Sequence, residues 1–499
     1  MSIGTQTKKR PFIWVFLLGL ALILFACQTN VPSIQATETR PAGTPLPSAR
    51  PSAQPSTSAS SQPKRTPTAT AIARAPLAVD PSRLHGAILQ FWHIGAGDGS
   101  DTIQKLVQDF NVNNQWGIVV LPKEFSNLDD LSENVQAALK SGSAPDVAVG
   151  YLHQALAWKA AKGLVDLGPY VDDPKWGLSN QEQSDFYLPF WQQDISNGSR
   201  WGIPAQRSGQ FLFYNQTWAK ELGFDQAPTT LDQFKLQACA ASRANKEDKD
   251  KQNDGTGGYI ISTDYPAILG WIYASGGDVV NADGDGYQFN TPQVKDTFTF
   301  LRKLYDAGCA WLPATQAPEQ AFAGRGGLFR TGSVMDIPYQ MKVFDLTTNG
   351  DEWTVLPFPS AARNPAFDVY GPSYSIFPSD QQKQLAAWLF IKWLVSPQTQ
   401  ARLVETSGSF PLGASTADKL RDYKNGHPQW ADALALLPNA RSEPPLKSWD
   451  TVRWAVLDAA TQLFRYYFTV DQVPSLARLL DQTAADLNDG KISPTREPR

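Results

Sequence analysis

Three features of the 499-residue sequence predict an α/β fold with a mostly parallel sheet. From about Leu84, short apolar runs of strand length alternate with amphipathic stretches of helical period. Three such strand-helix units follow one another between Ala87 and Tyr151. A glycine-rich turn, Gly95-Ala96-Gly97-Asp98-Gly99, separates the first strand from the first helix. Consecutive units of this kind place helices on both sheet faces and leave the strands' carboxyl ends free to meet a ligand.

The elements follow in order. Ala87 to Trp92 reads as the first buried strand, and Ile103, Leu106, Val107 and Phe110 fall on one face of the helix after it. Gly117 to Leu121 gives a second strand, followed by a helix carrying Leu128, Leu131, Val135 and Leu139. Pro145 to Tyr151 gives the third strand. Trp201 to Tyr214 reads as a strand crossing, and Ser333 to Ile337 as a further strand. Two helices, Gln382 to Leu394 and Pro397 to Thr406, are stopped by Gly408. No repeat of fixed period interrupts the pattern.

The N-terminus carries a different message. Lys8, Lys9 and Arg10 precede an apolar run from Pro11 to Phe25, the pattern of an export signal over residues 1–26. A retained membrane helix is the alternative, although the run falls short of the ~20 apolar residues that span a bilayer. Leu24-Phe25-Ala26-Cys27 resembles the bacterial lipoprotein box, with Phe25 bulkier than the usual residue there. The resemblance implies cleavage before Cys27 and a lipid on its sulfur, anchoring the protein to the outer face of the cytoplasmic membrane; a chance cysteine is the alternative. From Pro41 to Thr70, 23 of 30 residues are Pro, Ser, Thr or Ala, a composition that buries nothing. Residues 27–82 are therefore expected to form a tether, roughly 40 Å across as a coil and roughly 170 Å if extended. Cys239 and Cys309 remain as an even pair, which in an exported domain favours a disulfide over two buried thiols.

A net charge of −4 offers no basic field for a phosphate backbone, so nucleic acid is not an expected partner. With four His, no Walker loop and no zinc spacing, neither a cofactor nor a metal is expected. Gly371-Pro372-Ser373-Tyr374-Ser375 lacks the second glycine of a nucleophile elbow. Two acidic loops, opening at Asn281 and Asp250, have the early spacing of a calcium loop but place Pro292 and Ile261 where its last carboxylate belongs. Turn chemistry explains both.

Several segments together resemble extracellular solute-binding proteins of ABC importers, the group that holds maltodextrins, other oligosaccharides and glycerol-3-phosphate. These are Phe91-Trp92-His93, Gly198 to Asn215, Trp271 to Gly277, Phe322 to Leu328, Trp388 to Leu394 and Gly408 to Gly413, and the likeness covers roughly residues 84–480. It implies two discontinuous α/β lobes, 83–207 with 371–415 and 208–370 with 416–490, a tail over 491–499, and hinge crossings near Ala205 to Gln210, Phe358 to Pro372 and just past Pro411. It further implies a monomer that binds a small-molecule carbohydrate between the lobes and passes it to permease subunits, without catalysis. A binder of glycerol-3-phosphate or a related phosphodiester is the nearest rival, and a secreted carbohydrate-active enzyme is a rival of another class.

A sugar needs aromatic faces and polar partners. Trp92, His93, Tyr151, Trp271, Tyr339 and Trp449 match the family's cleft positions, although a chain with 16 Trp also needs core aromatics. Trp271, before the Gly276-Gly277 turn, and Tyr339, after Pro338, are the leading stacking candidates, expected opposite Trp92 and Tyr151. Gly276, Gly277, Gly371 and Ser373 fall where the family brings backbone close to ligand, and ordinary turns are the alternative. Arg207 and Arg453 are candidates for an acidic ligand group, with solvated or hinge-side salt bridges as the alternative.

Overall fold

The computed structural model describes residues 77–95, 98–313, 317–360 and 365–493. The expected export signal, Cys27 and the tether up to residue 76 lie outside the described residues. Part of the expected tether packs on the first lobe: the Leu77 amide donates to the Asp173 carboxylate at 2.6 Å, and Val79 is buried. Among the described residues, no helix is long and apolar enough to cross a membrane.

Two sheets organise the chain. The first runs β2 (Val119–Phe125), β1 (Ile88–Ile94), β3 (Val147–Gly150), β13 (Ser373–Ile376), β6 (Ile203–Pro204). Its first three strands are parallel, as three strand-helix units dictate. β13 enters antiparallel to both β3 and β6, so the sheet is mixed rather than mostly parallel. β13 is a return strand from another part of the chain, and no crossover helix constrains its direction. The second strand also starts later than expected, at Val119. Helices cover this sheet, among them Leu128–Ser141, capped by Asn127, whose side chain accepts from the Asp130 amide at 2.8 Å. Gln381–Leu394 and Pro397–Ser407 join them, and Gly408 ends the latter at φ +68°.

The second sheet runs β14 (Ala440–Ser442), β12 (Phe367–Tyr370), β7 (Ser208–Asn215), β10 (Gly327–Ser333), β8 (Gly257–Ile260), β9 (Ala310–Trp311), with β11 (Trp353–Leu356) also pairing β7. A separate hairpin joins β4 (Ile195–Ser196) and β5 (Ser199–Arg200). The expected strand at Ser333 to Ile337 is instead the end of β10 followed by a turn and a helix, Ile337–Asp345. Pro338 explains the difference: it has no N–H to give a sheet, and its fixed φ suits the first helical turn. Each sheet carries its own apolar core, one around Phe91, Trp158 and Trp388, the other around Phe234, Trp271 and Phe329.

Cys239 and Cys309 form a disulfide with Cα atoms 4.4 Å apart, joining the helix Leu231–Glu247 to the residue before β9. The bond closes 70 residues, and its loss is expected to cost about 2–4 kcal/mol. Urea titration with and without reductant measures this; coincident curves contradict it.

Candidate ligand site between the lobes

Backbone connectivity defines the hinge. β6 lies in the first sheet and β7 in the second, with Ala205 to Arg207 between them; β12 and β13 make the return crossing through Gly371 and Pro372. Arg207 ties the crossings together. One terminal nitrogen donates to the carbonyls of Gln206, Gly371 and Pro372 at 2.9, 3.2 and 2.7 Å. The other donates to Asp194 Oδ2 and Ser373 Oγ, both at 2.9 Å. The Arg207 carbonyl accepts from the Phe410 amide at 2.8 Å, which brings in the chain's third passage. Gly371 sits at φ +153°, and a Cβ there would lie 2.1 Å from the Gln206 carbonyl oxygen, so the close approach of the two crossings requires glycine.

In front of the hinge, the carboxyl end of β3 delivers Tyr151 from the first lobe. Its backbone N–H donates to Gln154 Oε1 at 3.0 Å, and Gln154 Nε2 reaches Asp129 Oδ1 at 3.2 Å. Asp129 also receives Arg453 Nη2 at 2.9 Å, from the second-lobe helix Trp449–Leu463. That pair spans the two lobes. Arg453 is further held by Asp450 at 3.4 Å, and buried His153 approaches Asp450 to 3.6 Å. Burial and then the Arg453 charge push the His153 pKa well below its usual value.

The second lobe contributes a buried acidic floor. Asp368 on β12 is 0% exposed, and among the described residues neither carboxylate oxygen has a hydrogen-bond partner. Glu443, just past β14, is 6% exposed; its Oε2 accepts from Trp449 Nε1 at 3.2 Å and its Oε1 has no partner. Burial, then the charge of Glu443, raises the Asp368 pKa well above the carboxylate range, and burial pushes Glu443 up to about 7. Tyrosines surround them. Tyr265 meets Trp449 edge-on at 5.9 Å, and burial, then the Asp368 charge, raises the Tyr273 pKa well above its usual value. Burial and then the Glu443 charge raise the pKa of Tyr151, placing the first-lobe ring in the field of the second-lobe carboxylate. Tyr151 from the first lobe thus lies within the electrostatic reach of Glu443 and Arg453 from the second, which also supplies the open acceptors.

The chain resembles known proteins in sequence and fold. A family model described as bacterial extracellular solute-binding protein matches residues 105–438. This chain is a member of that family. The binding protein is 20% identical over 374 residues to the diacetylchitobiose binding protein DasA of Streptomyces coelicolor, covering 74% of this chain and 82% of that one. Its fold is that of two-lobed solute-binding structures. The sugar-binding protein MalE of Xanthomonas citri superposes with a TM-score of 0.70 at 20% identity, covering 81% of this chain and 98% of that one. UgpB of Mycobacterium tuberculosis, solved with glycerophosphocholine, gives 0.66 at 17%, covering 82% and 100%.

Of the residues singled out from sequence, the binding protein brings Tyr151 and Arg453 to this cluster, while Trp449 is fully buried in the second-lobe core and reaches the cluster through its indole N–H on Glu443. Others lie elsewhere. Trp271 is on the helix Tyr265–Ala274, 3% exposed, with four aromatic rings within 6 Å, so it is a core residue of the second lobe rather than a side chain leaving the sheet. Tyr339 is 51% exposed on the helix after β10, its hydroxyl accepting from Gln320 Nε2 at 3.0 Å. Trp92 packs 5.1 Å from Phe125 under the Lys123 ammonium, and His93 is buried against Phe91. Gly276 and Gly277 end the Trp271 helix, their amides donating to Tyr273 and Ile272 carbonyls at 3.0 Å. Arg207, Gly371 and Ser373 belong to the hinge, with Ser373 Oγ 2.7 Å from Asp194. In the loop at Asn281, the side chain donates to Asp285 Oδ1 and accepts from the Asp285 and Gly286 amides, which is turn chemistry.

Asp368, Glu443 and Tyr265 were not singled out. An acid inside the apolar alternation Phe367-Asp368-Val369-Tyr370 was the available signal for the first.

Proposed function

We propose that the protein binds a carbohydrate outside the cytoplasmic membrane, between its lobes, and delivers it unchanged to an ABC import permease. The observation that carries this reading is the pair of buried carboxylates with unpartnered oxygens, framed by Tyr151, Tyr265, Tyr273 and Trp449. The half-buried rings of Tyr151 and Tyr265 can take the C–H face of a sugar, and unpartnered carboxylate oxygens can accept its hydroxyls. A phosphodiester fits poorly, because Arg453, the cation described in this cluster, is already held by Asp129 and Asp450. The diacetylchitobiose binding protein and the sugar-binding MalE support a carbohydrate, and the glycerophosphocholine complex names the rival.

Intrinsic fluorescence titration against mono- and oligosaccharides and glycerophosphodiesters tests this. A saturable shift with a sugar recovered intact is expected. Binding of phosphodiesters alone contradicts the carbohydrate reading, and hydrolysed sugar contradicts the non-enzymatic one.

Membrane attachment belongs to the same reading: the Leu24-Phe25-Ala26-Cys27 box supports lipid on Cys27, tethering a monomeric binding head. Cys27→Ser is then expected to move the protein from the membrane to the soluble fraction. Persistent membrane association would favour a retained apolar helix.

A further inference from the structure

We infer that the bound carbohydrate carries a protonated amine, received by Asp368 and Glu443. The inference rests on the carbohydrate reading above and specifies its ligand class.

Strand register brings the two acids together. β12 pairs in parallel with β14, with Asp368 opposite Arg441 and Val369 opposite Ser442. Side chains alternate along a strand, so Asp368 and Arg441 share one face. Continuing the register places Glu443 on that face too, a diagonal neighbour of Asp368 about 7–8 Å away. Phe367 and Val369 point the other way, into apolar packing. The acidic face is covered by the helix Tyr265–Ala274, which packs on β12 and brings Tyr273 to it.

Among the described residues, three carboxylate oxygens on this face have no donor: both of Asp368 and Oε1 of Glu443. Among the described residues, the two arginines beside these acids are committed elsewhere. Arg441 turns away to the Asp278 carboxylate and the Gly277 carbonyl, its guanidinium 4.8 Å from the Tyr273 ring centre. Arg453 is spent on Asp129 and Asp450. A neutral hydroxyl offers one donor and no charge, and an amide side chain would receive it as well as a carboxylate does. An ammonium offers three donors and a positive charge, matching three orphan oxygens and offsetting the burial of two acids. The Tyr and Trp faces around them favour a cation as well.

Calorimetric titration of the full-length protein tests this with matched probes. Glucosamine, galactosamine and glucosamine oligosaccharides are each compared with the N-acetylated and the hydroxyl counterpart. At least one amine is expected to bind about tenfold or more tightly than both its neutral partners, a difference of about 1.4 kcal/mol. The Asp368→Asn/Glu443→Gln double variant, checked for folding by its melting curve, is expected to lose that difference. Neutral counterparts binding as tightly as the amines would overturn the inference and leave the carbohydrate reading standing. Binding of no sugar of any kind, with phosphodiesters bound instead, would overturn both.

Discussion

Trp271→Ala is expected to cost about 3–5 kcal/mol of folding stability while leaving ligand affinity close to wild type. The ring lies among Phe234, Tyr259, Phe300 and Phe358 at centroid distances of 5.3, 5.8, 5.8 and 5.0 Å. Its Nε1 donates to the Tyr259 hydroxyl at 3.2 Å, and that hydroxyl also bonds Thr331 at 2.6 Å. Truncation removes the contacts of the largest side chain in this cluster, and surrounding rings collapse into the gap only in part. A cleft tryptophan behaves in the opposite way, because it is half open to water before ligand arrives and its loss falls on binding. Denaturant midpoint and ligand affinity measured on the same variant separate the two. A tenfold loss of affinity at unchanged stability would return Trp271 to the binding surface.

A loss of similar size is expected for Arg207→Ala, by a different route. The substitution strands Asp194, which is buried and ion-paired at 2.9 Å, and removes the donor shared by three hinge carbonyls. Removing one partner of a buried pair costs about 3–5 kcal/mol, chiefly through the charge left behind. The double variant Arg207→Met/Asp194→Asn is therefore expected to recover part of the loss, since no unpaired charge remains. Urea unfolding of the three proteins is the measurement. A single variant within about 1 kcal/mol of wild type would show that the hinge does not depend on this pair.

The contrast between these residues shows what a sequence makes legible. Local signals were sufficient for the first three parallel strands, the helix Gln381–Leu394 and the stop at Gly408, because apolar period and glycine φ preference act within a few residues. The leftover cysteine pair was legible by elimination. Trp271 was not, because a core ring and a stacking ring have the same chemistry and differ only in which helix face is covered. Tyr339 was misplaced by treating Pro338 as the end of a strand instead of the first turn of a helix. Asp368 and Glu443 acquire their relation only when β12 pairs with β14, two segments far apart in the sequence. Distance in sequence hid the acidic floor more thoroughly than any feature of its residues.

The ends of the two sheets bear on how copies of this protein behave when crowded. An unpaired strand edge is a template for another chain, and such pairing is a route to aggregation. β2, the longest edge, carries Pro122 in its middle, where a missing N–H breaks the row of donors, followed by Lys123 and Glu124. At the other border of that sheet, β6 is two residues long and ends in Pro204. β9 is also two residues long and follows a half-cystine that fixes it to a helix. β14 gives way to Glu443, Pro444 and Pro445, and the Trp353 carbonyl of β11 is occupied by Gln429 from the helix Pro428–Ala435. These borders thus offer a neighbouring molecule only short or interrupted rows of partners, so high local concentration need not drive strand exchange between heads.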